Sequence, residues 1–245
     1  MFILVASQEH VKMGTGIYLR SDAARLLGVA PSRLRRWVEG YTYRPTDHPV
    51  KSSHRRRPPV VQRDLPVIDS AIALSFVELM ELRVVKALID HGMSLQAVRR
   101  VAEVAADYFG TAHPLASRQV YTDGRKAFAV LLGDERDAPD IVELTAHRVR
   151  QVIAGKMFQP FLAEIDFNPA TALAERWWPQ GKRVPVVLDP RIAFGAPTVA
   201  HTGIRTSTIV RMIEADGPDA TANAFQLEVA AVEAAWDFER RLLAA

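Results

Sequence analysis

The stretch of residues 18–40, YLRSDAARLLGVAPSRLRRWVEG, constrains this chain more than any other part of its sequence. Ser21 can cap a first helix, because its hydroxyl can accept a hydrogen bond from a free backbone N–H of the first turn. Gly28 suits the end of that helix, where a tight turn requires a positive φ, and Pro31 suits the first position of a new helix. The pattern therefore predicts a helix-turn-helix.

The second of these helices is predicted to be amphipathic and basic. It has a buried apolar face and an exposed face of one serine and three arginines: Leu34, Trp37 and Val38 inside, and Ser32, Arg33, Arg35 and Arg36 outside. Arginine pairs with phosphate and bidentately with guanine, so this helix suits the major groove of DNA. The alternative is a solvated basic helix in an αα-hairpin.

The distribution of charge supports a polyanionic partner for this end of the chain. Residues 1–64 contain 12 Lys and Arg against 5 Asp and Glu, a formal charge of +7. The remaining 181 residues contain 19 against 23, which is −4, and the whole chain carries +3. A basic segment attached to a mildly acidic body is typical of proteins that bind nucleic acid.

The residues after Gly40 predict a wing, that is, a strand, a loop and a second strand beside the helix-turn-helix. Tyr41–Tyr43 favours a strand, and residues 60–62 are its candidate partner. The Pro-, Ser- and Arg-rich segment between them includes Arg55, Arg56 and Arg57, which would contact phosphates or a minor groove. The alternative is a disordered basic linker.

Two helices are predicted after the wing. Residues 67–90 form a long helix whose apolar face is broad enough to be covered on more than one side. A shorter helix follows, with Ser94 as its expected N-cap and Gly110 as its expected C-cap.

Residues 18–110 resemble the MerR-like winged-helix family, both in the helix-turn-helix and in the run ELMELRVVKALIDHGMSLQAVRR after the wing. The resemblance implies dimers that bind DNA through the second helix and the wing. Carried over by position, the DNA-binding residues are Ser32, Arg33, Arg35, Arg36 and Trp37 on the recognition helix and Arg55, Arg56 and Arg57 on the wing. We expect the apolar helix over 67–90 to form the dimer interface.

The middle of the chain, residues 111–185, predicts an α+β connecting segment without an assigned topology. Asp123-Gly124 between alternating residues indicates a two-residue hairpin, and residues 138–156 permit a helix. Residues 160–167 favour a strand, and residues 173–188 favour two strands around a turn.

The last residues contain a second motif, formed by Ile192, Gly195, Pro197, Thr198, Val199, Thr202, Ile204 and Thr206, with Trp236 and Phe238 in a closing helix. With these residues the segment resembles a small helical domain of unknown function that is common in bacterial proteins encoded beside toxins, often VapB-type antitoxins. The resemblance implies three helices and a VapC-like ribonuclease toxin as partner. Which residues contact the toxin stays unknown, and the candidates are Arg191, Arg205, Arg211, Arg240 and Arg241. An aromatic toxin-binding patch is an alternative to a packing role for Trp177 and Trp178.

No catalytic constellation is visible in the sequence. Cysteine is absent, which excludes disulfides and thiolate metal sites, and the 7 histidines show no metal-ligand spacing. The start of the chain has no basic leader, Met13 is an alternative first residue, and no run of about 18 apolar residues occurs. We therefore predict a cytoplasmic protein that is not an enzyme and that uses no cofactor, metal or membrane.

Together these patterns predict a mainly α protein with short strands, of α+β class. Its expected parts are an N-terminal extension (1–17), a winged helix-turn-helix domain with a long helix (18–110), a connecting α+β segment (111–185) and a small three-helix domain (186–245). The main hypothesis is an antitoxin that neutralises a VapC-like ribonuclease and binds operator DNA to repress its own operon, as a homodimer. The alternative is a MerR-like regulator without a toxin, with Tyr108, Phe109, Tyr121, Trp177 and Trp178 lining a ligand pocket.

Overall fold

The computed structural model describes residues 14–44, 54–68, 71–120 and 159–244. The elements of the first half are β1 (Tyr18–Leu19), α1 (Arg20–Leu27), α2 (Pro31–Glu39), β2 (Tyr41–Tyr43), β3 (Arg55–Arg57), β4 (Val67–Ile68), β5 (Ala71–Leu74), α3 (Phe76–Asp90) and α4 (Leu95–Phe109). Those of the second half are α5 (Gln159–Glu164), β6 (Ile165–Phe167), β7 (Ala174–Trp177), β8 (Val186–Val187), β9 (Thr198–Val199), α6 (Thr206–Asp216), α7 (Pro218–Phe225) and α8 (Val229–Ala244). The mixture of helices and short strands confirms the predicted α+β class.

All described strand pairs are antiparallel and short. The largest sheet has the order β1-β5-β4, and the other strands pair as β2 with β3, β6 with β7 and β8 with β9. A bridge between Trp177 and Leu188, with backbone hydrogen bonds of 3.0 and 2.9 Å in the two directions, joins the last two pairs. The two strands expected over 173–188 are therefore present as β7 and β8.

The first two helices join at the turn that the sequence predicts. Gly28 ends α1 in the left-handed conformation (φ 59°, ψ 46°), and Pro31 is the first residue of α2. The prediction of Ser21 as N-cap is wrong, because α1 begins at Arg20 and has no side-chain cap. The sheet pairing of Leu19, the residue before the helix, fixes this start instead.

The hairpin formed by β2 and β3 pairs other residues than the sequence suggested. Tyr41 pairs with Arg57 and Tyr43 with Arg55, so the arginines form the second strand rather than the tip of a loop. Residues 60–62 are not that strand. Val60 is buried and donates its N–H to the carbonyl of Trp37 at 2.8 Å, since its side chain gains more from the core than from an exposed edge.

The long helix predicted over residues 67–90 begins only at Phe76, so its first part was wrong. The Ser75 hydroxyl accepts a hydrogen bond from the Glu78 N–H (3.2 Å), and the Glu78 carboxylate accepts one from the Ser75 N–H (2.7 Å). This capping box satisfies two free donors and fixes the helix start. The preceding residues form β4 and β5 instead.

Helix α3 lies at the centre of the main core. Its residues Leu79, Leu82, Val84, Val85 and Leu88 are each 0% exposed, which confirms that more than one side is covered. They pack against α1, α4, β7 and the turn at Pro114–Ala116 of the same chain. These contacts occupy most of the helix within one chain, while its apolar residues Val77, Ala87 and Ile89 stay partly exposed. A dimer interface on this helix stays a prediction.

The C-terminal part contains the three expected helices, α6, α7 and α8. They enclose a core of five buried residues: Val199, Ile209, Ala222, Val232 and Ala235. Trp178 packs with Val187 and Ala200 beside it, and Trp177 belongs to the main core. Burial of both tryptophans confirms their packing role and contradicts the exposed aromatic patch.

Parts of the middle of the chain lie outside the described residues, including the hairpin predicted at Asp123-Gly124, Tyr121 and the helix predicted over 138–156. Residues 160–167, predicted as a strand, belong to helix α5 and then strand β6. Within the described ranges, no helix is long and apolar enough to cross a membrane.

Candidate nucleic-acid interface

Helix α2 presents a basic face to solvent. Ser32, Arg33, Arg35 and Arg36 are exposed. Trp37, however, is only 2% exposed and belongs to the main core, which corrects its assignment as a DNA-contacting residue. Its indole holds the helix against the body of the protein, and the exposed residues remain as candidates.

The three arginines of α2 differ in the contacts that they make within the protein. Arg35 Nε lies 3.0 Å from Glu39 Oε2, and Arg20 also pairs with Glu39. The Arg36 guanidinium lies over the Tyr41 ring, 4.4 Å from its centroid. Arg33 has no ion pair among the described side chains, so it is the most available of the three for an external anion.

The β2–β3 hairpin continues this basic surface. Arg55 and Arg56 are exposed, whereas Arg57 is half-buried, with its guanidinium 5.1 Å from the Tyr43 ring centroid. Gly40 connects α2 to the hairpin with a φ of 75°, and a Cβ there would collide with the Arg57 carbonyl oxygen. The close approach permitted by this glycine brings the predicted arginines of helix and hairpin together.

One arginine of this region was not predicted. Arg99 of α4 is only 7% exposed, donates from Nε to the Pro58 carbonyl at 2.9 Å, and lies 5.5 Å from the Tyr41 ring centroid. Within the part of the chain that the structure describes, its Nη1 and Nη2 atoms are buried without a hydrogen-bond partner. Nothing in the helical pattern around it distinguishes it from the exposed Arg100, because only tertiary contacts bury it.

A second unpredicted feature is a buried acid–histidine cluster behind the hairpin. His113 Nδ1 lies 3.0 Å from Glu81 Oε2, and its Nε2 lies 2.9 Å from Asp64 Oδ1. Glu81 Oε1 accepts from the Leu115 N–H at 3.1 Å, and Glu78 accepts from the Asp64 N–H. The cluster ties the segment after the hairpin to α3.

The electrostatics of this cluster favour a protonated histidine. Burial alone would lower the pKa of His113, but hydrogen bonding and the charges of Glu81 and Asp64 raise it to about 9. Burial raises the pKa of Glu81 against the opposing effect of His113, and burial likewise raises that of Glu78. The two cations of the same helix pair with other carboxylates, Arg83 with Glu164 and Lys86 with Asp90.

The C-terminal part is locked to the first strand through Tyr18. The Tyr18 hydroxyl donates to the Gly195 carbonyl at 2.7 Å, and the Ile17 N–H donates to the Phe194 carbonyl at 3.0 Å. Burial raises the pKa of Tyr18 well above its usual range, so the hydroxyl stays a donor. Gly195 has a φ of 84°, and its Cα faces the tyrosine ring too closely for any side chain.

Other residues of the C-terminal motif also have structural roles. The hydroxyls of Thr198 and Thr206 are buried and donate to the carbonyls of Val187 (3.2 Å) and Pro197 (3.3 Å). Thr206 also contacts Glu239 of α8. The residues of this motif therefore attach the β8–β9 pair to helices α6 and α8.

The candidate toxin-contacting arginines are engaged to different degrees. Arg191 binds Asp189 with two nitrogens, at 2.9 and 2.7 Å, and Glu175 with a third. These hydrogen bonds outweigh burial and hold the pKa of Asp189 below its usual range. Arg205, Arg211, Arg240 and Arg241 are all exposed, although Arg205 donates to the Ala193 carbonyl (3.4 Å) and Arg241 to that of Asp237 (3.1 Å). Arg191 is thus a structural clamp.

Four of the five aromatic residues of the ligand-pocket hypothesis lie in the described part of the chain. Tyr108 and Phe109 stack edge-to-face with ring centroids 5.1 Å apart, while both tryptophans are buried elsewhere. Within the described ranges, no group of three or more His, Asp or Glu is arranged to hold a metal. The aromatic residues proposed for one pocket are therefore not brought together there.

Comparisons with known proteins extend this description. Residues 186–238 match a family described as "Protein of unknown function (DUF433)", which confirms the small domain of unknown function predicted there. Over 217 residues, the chain is 27% identical to a Mycobacterium tuberculosis protein described as "Putative antitoxin VapB45", covering 86% of this chain and 89% of that one. The similarity therefore spans both the basic and the C-terminal parts.

The fold is shared with a solved structure. A crystal structure of Rv2018 from Mycobacterium tuberculosis matches this chain with a TM-score of 0.71, over 93% of this chain and 100% of that one, at 21% identity. At this identity the match describes the arrangement of elements alone.

Proposed function

We propose that this protein is the antitoxin of a toxin–antitoxin pair, which binds and neutralises a VapC-like ribonuclease toxin and also binds operator DNA to repress its own operon. The observation that carries the proposal is the similarity to a relative described as an antitoxin, which covers nearly nine-tenths of both chains. The matched C-terminal family and the exposed basic face of α2 support it independently.

The toxin-neutralising role is tested by co-expression with the product of the adjacent gene. We expect that product alone to stop growth, the pair to restore it, and the two proteins to co-purify. The matched control carries an early stop codon in the gene of this protein. If the neighbouring product is harmless, or toxic but not rescued, the antitoxin proposal fails. DNA binding without a toxin would then favour a stand-alone regulator.

Operator binding would use α2 as the recognition helix and the β2–β3 hairpin as the wing. Arg33 and Arg36 are exposed on α2, and Arg55 and Arg56 are exposed on the adjoining hairpin. Such a module buries too little surface for tight sequence-specific binding by one copy, so we propose that a homodimer binds a two-fold operator.

We expect the double substitution Arg33→Ala with Arg36→Ala to weaken binding to the promoter of the protein's own gene by about 100-fold, because each good arginine–base or arginine–phosphate contact contributes about 1–3 kcal/mol. Fluorescence anisotropy with the labelled promoter measures this. Arg240→Ala, which removes an exposed arginine from α8, is the control and should leave the affinity unchanged. Equal affinities of the double variant and wild type would contradict the role of α2.

A further inference from the structure

Three guanidinium groups meet at the root of the β2–β3 hairpin, around two tyrosines. Arg36 and Arg99 approach the Tyr41 ring, at 4.4 and 5.5 Å from its centroid, and Arg57 lies 5.1 Å from the centroid of Tyr43. The two tyrosine rings are 6.2 Å apart. The cluster therefore joins α2, the hairpin and α4, although these arginines are far apart in sequence.

No carboxylate among the described residues neutralises this cluster. None of Arg36, Arg57 and Arg99 forms an ion pair with a described carboxylate, whereas Arg20, Arg25, Arg35, Arg83 and Arg191 all do. Like charges repel strongly where water is excluded, so this arrangement is costly unless an anion joins it.

Unused hydrogen-bond donors also indicate that an anion would stabilise this cluster. Nη1 and Nη2 of Arg99 and Nε of Arg57 are buried without a hydrogen-bond partner among the described residues. A buried donor without an acceptor is expensive, and a guanidinium fork matches the oxygens of a phosphate. Arg36 is exposed, whereas Arg99 is only 7% exposed, so an anion would approach the cluster from the side of Arg36.

We propose that Arg36, Arg57 and Arg99 together hold one backbone phosphate of bound DNA at the root of the hairpin. The site deepens the proposed operator binding and rests on it. A DNA phosphate is favoured over a free anion because the site is continuous with the exposed arginines of α2 and β3. Arg99 thereby makes α4 part of the DNA interface.

The test is the salt dependence of binding to a labelled mixed-sequence duplex of about 30 base pairs, since phosphate contacts carry no sequence information. Loss of one phosphate contact lowers the log–log salt slope by about 0.9. We expect this change for Arg99→Gln, with about tenfold weaker binding, and the same for Arg36→Gln. Arg99→Lys keeps the charge and should keep the slope.

A shared phosphate makes a sharper prediction for the double variant. Arg36→Gln with Arg99→Gln should lower the slope by about 0.9 in total, whereas two separate phosphates would give about 1.8. The control is Arg100→Gln, which removes an exposed charge from the same helix, where Arg100 faces Glu103 at 3.8 Å. Its slope should equal that of wild type.

The possible failures are distinguishable. If wild type does not bind the duplex even at about 50 mM salt, operator binding and the phosphate site both fall. If wild type binds but Arg99→Gln keeps its slope, only the phosphate site falls. The site is also rejected if Arg99→Lys loses as much slope as Arg99→Gln, because Arg99 would then act by shaping the hairpin, or if Arg100→Gln matches Arg99→Gln. Thermal unfolding of each variant confirms that it is folded.

Discussion

Replacing Glu81 by alanine is expected to lower the free energy of unfolding by about 3–5 kcal/mol at pH 7, the usual cost of breaking a buried ion pair. The substitution removes the acceptor of both His113 Nδ1 and the Leu115 N–H. A protonated His113 would then remain buried with Asp64 as its only partner within the cluster. Urea unfolding followed by circular dichroism measures the loss.

The same cluster is expected to make the free energy of unfolding fall as the pH rises. The pKa of His113 is raised from 6.5 to about 9, so the folded state holds its proton more tightly than the unfolded state does. The resulting stabilisation is fully present below pH 6.5 and is lost as the pH rises to 9, with a size of up to about 3 kcal/mol. In Glu81→Ala this decline should flatten, because the pKa of His113 falls towards its ordinary value.

Two variants separate charge from general damage to the fold. Glu81→Gln keeps the volume and an acceptor for Leu115 but removes the charge, so it should flatten the pH dependence with a smaller loss of stability. Glu103→Ala removes a carboxylate that is 61% exposed and should change the stability by less than about 0.5 kcal/mol. An undiminished decline between pH 6.5 and 9 in Glu81→Gln would contradict the role of His113.

The substitution Gly195→Ala is expected to destabilise the protein by about 3 kcal/mol. Part of this cost, about 1–2 kcal/mol, comes from placing a Cβ at a φ of 84°. The rest arises because that Cβ would overlap the Tyr18 hydroxyl and approach its Cζ to 2.9 Å, which displaces the hydrogen bond to the Gly195 carbonyl. Thermal and urea unfolding measure the total.

Gly217 provides a control for the part of this cost that comes from backbone strain. It has the same φ of 84°, but a Cβ there would have no atom within 4 Å. Gly217→Ala should therefore cost only the backbone strain, about 1–3 kcal/mol, because a φ of 84° with a ψ of 168° is almost exclusive to glycine. Adding Tyr18→Phe to Gly195→Ala removes the nearest clashing atom, so the two effects should be less than additive by about 1 kcal/mol. Equal costs for the two glycine variants, or strict additivity with Tyr18→Phe, would show that the contact with Tyr18 carries no energy.

Local signals in the sequence were sufficient to predict the structure where neighbouring residues determine it. Gly28 and Pro31 set the turn between α1 and α2, and Ser94 and Gly110 cap α4 as expected, with the Ser94 hydroxyl accepting from the Ala97 N–H at 3.2 Å. The start of α3 was also encoded locally, in Ser75 and Glu78, but continuous apolarity across residues 67–90 concealed the change from strand to helix.

Other errors concern contacts between residues that are distant in the chain. Apolar spacing predicts that Trp37 faces inwards, yet its place in the motif suggested a DNA contact, and only the packed core decides between the two. The partner of β2 depends on which later segment the core leaves free: Val60 is buried, so Arg55–Arg57 pairs instead. The outward face of α3 is likewise covered by elements that follow it in the chain.

By itself, then, the sequence determined the basic N-terminal segment, the helix boundaries set by caps, the three C-terminal helices and the exposed arginines of α2. Each depends on charge, on helical spacing or on a residue within four positions along the chain. Only the tertiary structure decided the pairing of β2 with β3, the burial of α3, the His113 cluster and the meeting of Arg36, Arg57 and Arg99. These features join residues that are distant in the chain, as does the contact between Tyr18 and Gly195, 177 positions apart. Their proximity is fixed by packing of the whole core rather than by any local preference.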